Sequence, residues 1–295
     1  MRFANATYAA AFAAAILMGA AAAAPAGRGA AGAKRIVSAF LCTDEYLFRL
    51  VPGARIAGLS YLSADTHPVV STIAEQVKGI PLIRASAEQV LALHPDLVIS
   101  YENTNVRQMQ LLRAAGVRVL EVPWAQSLAD VRRITEMLGA KLGARARAQA
   151  LLQQMDGALA KARAGLPHPA VRTLVYEPNG YATGGGVTDE ILSAAGLENI
   201  GTGGHLTRAG TLPVENVLTL APELLILNGE NERQPARADL VLRHPALRAL
   251  GSGTLVARTS LVPLLCPGPW SVSVAPQLAA WGRRARALAA PHRGP

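Results

Sequence analysis

Two cysteines, Cys42 and Cys266, six histidines and a sparse set of aromatic rings are the side chains of this chain best suited to chemistry. The cysteines have three possible fates: a disulfide, a pair of thiolates for a soft metal or haem iron, or two isolated buried thiols. His67, His94, His205 and His244 could supply imidazoles to zinc or manganese. His94 and His244 stand in His-Pro steps at expected helix ends, however, and no His-rich tract or ligand-spaced pair occurs. A nucleophile elbow, C-x-x-C and H-E-x-x-H are all missing. The acid pairs Asp44-Glu45 and Asp189-Glu190 fall in or just before expected helices, where solvation accounts for them. Gly184, Gly185 and Gly186 precede Thr188 without the Lys-Ser/Thr ending of a nucleotide loop, so they read as a plain turn. The inventory favours holding a ligand over transforming one.

The aromatic rings point the same way. They make up only 4% of the chain, yet Tyr61, Tyr101, Trp124, Tyr181 and Trp270 all follow or end apolar runs expected to be buried strands. Ligands of open parallel sheets collect beyond the carboxyl ends of the strands. Flat rings there suit stacking on a macrocycle or catechol. Cys42, Asn179 and Asn228 lie in the same class of loop, and the planar fork of Arg84 suits a carboxylate or an iron-chelate anion.

The elements that must position these residues are announced by a repeat. "SAEQVLALHPDLVIS" from Ser86 and "PVENVLTLAPELLILN" from Pro213 are nearly one phrase written twice. In the first copy Ser86 caps a helix, Gln89 completes a capping box and Glu88 sits in the first turn. Pro95 stops the helix and "DLVIS" follows as a short buried strand. The second copy has Pro213, Glu215, the breaker Pro222 and "LLILN". Further strands are expected in "KRIVS", "ARIAGLS", "GVRVLEVP", "VRTLVYEP" and "GTLVARTS", with a loop around Cys42 and helices between. This alternation predicts an α/β fold of two lobes with parallel sheets, joined by one long rigid helix with a ligand cleft between the lobes. The expected divisions are a first lobe over 34–143, a connecting helix over 144–164 and a second lobe over 165–295. Leu151, Leu152, Met155 and Leu159 form the apolar stripe of the connecting helix.

Residues 1–26 read as a cleaved secretory signal: Arg2, an apolar run from Ala9 to Ala24, then small residues, with a second cleavage candidate up to residue 33. No cysteine follows the run, so no lipid anchor is expected. Arg2 is the only charge in this segment, so a net +9 becomes about +8 after cleavage. No Lys/Arg cluster is interleaved with stacking aromatics, which argues against a nucleic-acid partner.

Taken together, "RIAGLSYLSAD", "ASAEQVLALHPDLVI", "EPNGYATGGGVTDEILSAAGLENI", "LPVENVLTLAPELLIL" and "CPGPWSVSV" resemble the periplasmic solute-binding proteins of cobalamin, haem and iron-siderophore ABC importers. The resemblance covers nearly the whole chain beyond the signal. It implies a monomeric, periplasmic, non-enzymatic carrier without a cofactor of its own, whose ligand is a bulky metal chelate. It also implies a membrane partner: Glu88 and Glu215 occupy the places from which such carriers pair with arginines of a dimeric permease. A zinc or manganese carrier and an exported enzyme are the alternatives.

Overall fold

The computed structural model describes residues 32–66, 69–84, 86–202, 210–229, 237–250 and 253–289. The expected signal over residues 1–26, His67 and His205 lie outside the described residues. The first half runs β1 (Ile36–Ser38), α1 (Leu41–Leu50), β2 (Ile56–Ser60), β3 (Leu82–Ile83), α2 (Ala87–Ala92), β4 (Leu97–Tyr101), α3 (Val106–Ala114) and β5 (Val119–Val122). Two helices follow, α4 (Leu128–Lys141) and α5 (Arg145–Arg163). The second half runs β6 (Val171–Tyr176), α6 (Gly186–Ala194), β7 (Leu197–Asn199), α7 (Val214–Leu220) and β8 (Leu224–Asn228). It ends with α8 (Pro245–Arg248), β9 (Leu255–Thr259), α9 (Val262–Leu265) and α10 (Ala275–Ala289).

Every strand pairing is parallel, in two sheets ordered β3-β2-β1-β4-β5 and β7-β6-β8-β9. In each sheet the first strand lies between the second and the strand that ends the repeated phrase. The order therefore reverses at β1/β4 and again at β6/β8, and a crevice opens at the carboxyl ends beside each reversal. Apolar layers cover both faces of both sheets.

The repeat is a clamped corner. Arg35 opens the first lobe's leading strand, and its Nε donates to the carbonyls of Leu93 and His94 at 3.1 and 3.2 Å, while Nη2 donates to Leu93 at 2.6 Å. Asp96 accepts in return from the backbone N–H of Lys34 and Arg35 at 2.8 and 3.1 Å. In the second lobe Arg172 donates to the carbonyls of Ala221 and Leu220 at 3.1 and 2.6 Å, and Glu223 accepts from the Arg172 N–H at 2.9 Å. The residue before each proline, His94 or Ala221, is left-handed, with φ of 45° and 42°. These bonds satisfy the last carbonyls of α2 and α7, which would otherwise lack partners. The strand register matches as well: Ile36 faces Leu97 and Thr173 faces Leu224.

Between the lobes α5 carries 19 residues, roughly 28 Å of helix. Ala144 and Ala148, at its start, pack into the first lobe's core, whereas Leu152, Met155, Leu159 and Ala162 pack into the second's. The brace is broader than one helix, because α4 divides itself in the same way: Val131 joins the second core, Ile134 and Leu138 the first. An Arg132–Asp156 ion pair ties α4 to α5. No helix of the described residues is long and apolar enough to cross a membrane.

Candidate functional site

The first lobe's crevice rim is an aromatic tower. Phe40 follows β1, Tyr101 ends β4 and Trp124 follows β5, so adjacent strands bring the three rings together. Tyr101 and Trp124 stack at 4.4 Å with 21° between planes, and Phe40 meets them edge-on at 5.5 and 5.7 Å. The Trp124 indole N–H donates to the carbonyl of Glu102 at 3.1 Å. Trp124 is 42% exposed, whereas Tyr101 is buried. Tyr101 is therefore the pedestal under Trp124 rather than a ligand surface, a correction to the sequence expectation. Phe40, which the sequence reading passed over, sits directly after the apolar run "IVSA", and that position was its available signal.

Tyr61 and Arg84 form a second rim feature. β2 and β3 pair with Ser60 opposite Ile83, which places Tyr61 beside Arg84. The Arg84 guanidinium lies 4.3 Å from the Tyr61 ring centroid, a cation–π contact. Two consecutive carboxylates on α1 hold the loop that carries Tyr61. Asp44 Oδ2 accepts from the Ser60 N–H at 3.1 Å and from the Ser60 and Ser63 hydroxyls at 2.5 Å each. Glu45 accepts from the Ser71 hydroxyl at 2.8 Å and from the Thr72 N–H and hydroxyl at 2.6 Å each, and pairs with Arg49 at 2.5 Å. Both acids are buried, so solvation does not account for them. Asp44 Oδ1 is buried without a partner, and burial raises the Asp44 pKa from 3.8 to about 7 against the opposing hydroxyl bonds.

The second lobe's rim is a polar net. Glu177 Oε1 accepts from the Thr183 hydroxyl and from Asn228 Nδ2, the latter at 3.2 Å. Asn228 Oδ1 accepts from the Leu261 N–H at 2.7 Å. Asn228 thus stitches together the loops after β6, β8 and β9. Asn179, exposed and left-handed with φ 59°, and Tyr181, 45% exposed, stand outward from the loop after β6.

The two halves meet where the sequence placed other ligands. Cys42 and Cys266 form a disulfide, with S–S 2.04 Å and Cα–Cα 4.9 Å, which leaves no thiolate for a metal. Both are buried, and Cys42 lies inside α1 instead of a loop, so it offers no ligand contact. Trp270 is likewise structural. Its ring meets Tyr46 edge-on at 4.8 Å, Arg49 lies 4.5 Å from its centroid, and its indole nitrogen is buried. On the opposite side Glu190 Oε2 accepts from the Leu128 N–H at 2.7 Å, capping α4 from the other lobe. A Cβ on Gly186 would lie 3.3 Å from the Gln126 carbonyl, so the glycine turn gives the lobes room to touch. A cavity of about 300 Å³ separates Val69, Ser71 and Thr72 from Ser260 and Val262.

Helices of parallel α/β units begin at the carboxyl edge of the sheet, so α2 and α7 start on the crevice side. Glu88 and Glu215 are both exposed there, each in a first turn. Ser86 accepts from the Gln89 N–H at 3.4 Å and donates to Glu88 at 2.5 Å, which lowers the Glu88 pKa. The Gln89 side chain accepts from the Arg84 N–H at 2.8 Å instead of closing the expected capping box. His244 Nδ1 accepts from the Ala246 N–H at 3.2 Å, a helix cap. Among the described residues no group of three or more His, Cys, Asp or Glu could hold a metal ion.

Residues 59–253 match the model of a family described as periplasmic binding protein. An uncharacterized ABC transporter substrate-binding lipoprotein, YvrC of Bacillus subtilis, is 30% identical over 129 residues. That match spans 43% of this chain and only 40% of the relative. A periplasmic heme binding protein from Pseudomonas aeruginosa is 26% identical, covers 85% of this chain and 92% of its own, and superposes with a TM-score of 0.59. The periplasmic vitamin B12 binding protein BtuF of Vibrio cholerae is 18% identical over 86% of this chain and 98% of its own, with a TM-score of 0.63.

Proposed function

The chain belongs to the periplasmic binding protein family, one of carriers rather than enzymes, and from that premise we infer that it is the exported substrate-binding subunit of an ABC importer. Its ligand is a bulky metal chelate: haem, cobalamin or a ferric siderophore. Haem leads, on the likeness to the Pseudomonas aeruginosa protein and on the Tyr61–Arg84 pair. A phenolate oxygen is a ligand for ferric iron, and the adjacent guanidinium supplies countercharge to it or to a propionate.

The observation that carries the reading is that each lobe exposes aromatic rings at its strand ends. Exposed Trp124 and Tyr61 stand at strand ends of one lobe and exposed Tyr181 at those of the other, with the lobes joined by α4, α5 and a disulfide. Rings from both sides suit a flat macrocycle, and so broad a brace favours slight closure over a wide clamshell. The protein acts as a monomer in the periplasm. Glu88 and Glu215 then steer the loaded carrier onto a permease dimer, the work that rim charges do best. Titrating haemin, cyanocobalamin and ferrichrome into the purified protein while following Trp fluorescence tests this. One of the three quenches with saturation; no response to any of them contradicts it.

A further inference from the structure

A cavity of about 510 Å³ opens at the β9 edge of the second sheet and shares no residue with the two rims. Its floor is apolar: Leu227 and Leu247 are buried, and Val256 is 37% exposed. Three arginines from three elements complete the described walls. Arg243 ends the short 3-10 helix Arg237–Arg243, Arg248 ends α8 and Arg258 lies on β9. Val256 and Arg258 are two apart on one strand, so both point to the same face, and Arg258 pairs in register with Leu227. Arg258 Nη2 donates to the Leu242 carbonyl at 2.8 Å, which anchors this guanidinium beside the turn that carries Arg243. No acid stands among the described wall residues, and neither Arg248 nor Arg258 forms an ion pair among the described residues. Three like charges around one cavity repel one another. A charge that only deters pairing at a sheet edge would need Arg258 alone.

We infer that this cavity binds a phosphate monoester, its phosphate held by Arg243, Arg248 and Arg258 and its carbon chain lying on Leu227, Leu247 and Val256. The walls select this chemistry in two ways. A phosphomonoester brings three terminal oxygens and about two negative charges at pH 7 to three guanidinium forks, whereas a carboxylate brings two oxygens and one charge. Inorganic phosphate meets the arginines equally well but leaves the apolar floor in water, so an ester gains the burial that the bare ion forgoes. The volume also falls within the roughly 300–1,000 Å³ usual for small-molecule pockets, more than a lone ion fills. A soluble phosphate ester and the headgroup of phosphatidic acid present the same group to these residues. The inference does not depend on which chelate occupies the groove between the lobes.

The test titrates the purified full chain calorimetrically with n-butyl phosphate, inorganic phosphate and pentanoate. Butyl phosphate is expected to saturate one site, about tenfold tighter than inorganic phosphate and tighter still than pentanoate. Arg248→Gln is the main variant, because Arg248 holds no other hydrogen bond among the described residues; it should weaken butyl phosphate about tenfold, the loss of one charge-assisted contact. Arg147→Gln, an exposed change on α5 that removes the same net charge, should leave binding unaltered. Co-sedimentation with phosphatidic acid vesicles then separates the sources. Pelleting that Arg248→Gln abolishes assigns the site to a lipid headgroup, and a chain that binds butyl phosphate but stays in the supernatant assigns it to a soluble ester. Should Arg248→Gln fail to fold, the unaltered chain still decides. No saturable heat with butyl phosphate, or pentanoate binding as tightly, overturns the site. Equal weakening by Arg147→Gln also overturns it, since net charge alone would then account for the attraction.

Discussion

The two lobes share a corner and differ in their rims. Arg35 with Asp96 and Arg172 with Glu223 close the same helix-to-strand turn in the same register. Beyond the strand ends the likeness stops. The first rim has stacked rings and a Tyr–Arg pair on a loop pinned by buried carboxylates, and the second has the Glu177–Asn228 net with Tyr181 outside it. The shared corner therefore belongs to the scaffold, whereas the loops that carry the proposed site differ between the lobes.

The largest effect should come from separating the lobes. Replacing Cys42 and Cys266 with Ala opens a closure spanning 224 positions, worth about 5 kcal/mol in chain-entropy terms. Melting should fall by roughly 10 °C, and a shift of only a degree or two would mean that α4 and α5 hold the lobes unaided. Next in size is a difference confined to the first lobe. The Asp44 pKa is raised in the fold, so its protonated form is favoured there. That contribution is fully present below the unfolded value of 3.8 and is lost as pH rises through about 7. Between those limits this group alone should reduce stability by about 4 kcal/mol, and Asp44→Asn should flatten that part of a urea-denaturation pH profile. An unchanged profile would contradict the burial account. The clamps probe what the lobes have in common. Arg35→Met and Arg172→Met should each cost roughly 1 kcal/mol, since both arginines are largely exposed; a marked inequality would show that the corners are not equivalent. Smallest of all should be the change in radius of gyration on ligand binding, read by small-angle scattering, because the brace limits closure.

Much of this scaffold was legible in the sequence, for reasons visible in single segments. "DLVIS" and "LLILN" are short apolar runs after a proline, and a strand buried on both faces of a parallel sheet must read that way. The alanine-rich stretch around Leu152 could hardly be anything but helix. The rims were harder, because their chemistry is made by residues distant in the chain. Asp44 and Glu45 look solvated beside their neighbours, yet they are buried against Ser60, Ser63, Ser71 and Thr72 from later loops. Tyr101 does end a strand, whereas Trp270 lies in the short helix Pro269–Val274 after α9, and sequence does not say which face of a ring is covered. Trp124 covers the first, and Tyr46 with Arg49 covers the second.

The central claim is that one groove takes its walls from both lobes, so the decisive measurement removes one ring from each. Trp124→Leu and Tyr181→Leu should each weaken the same chelate by about tenfold in a calorimetric titration, with the melting temperature unmoved by Tyr181→Leu and lowered by Trp124→Leu through its lost stacking on Tyr101. If either variant binds like the unaltered protein, the ligand does not lie between the two rims.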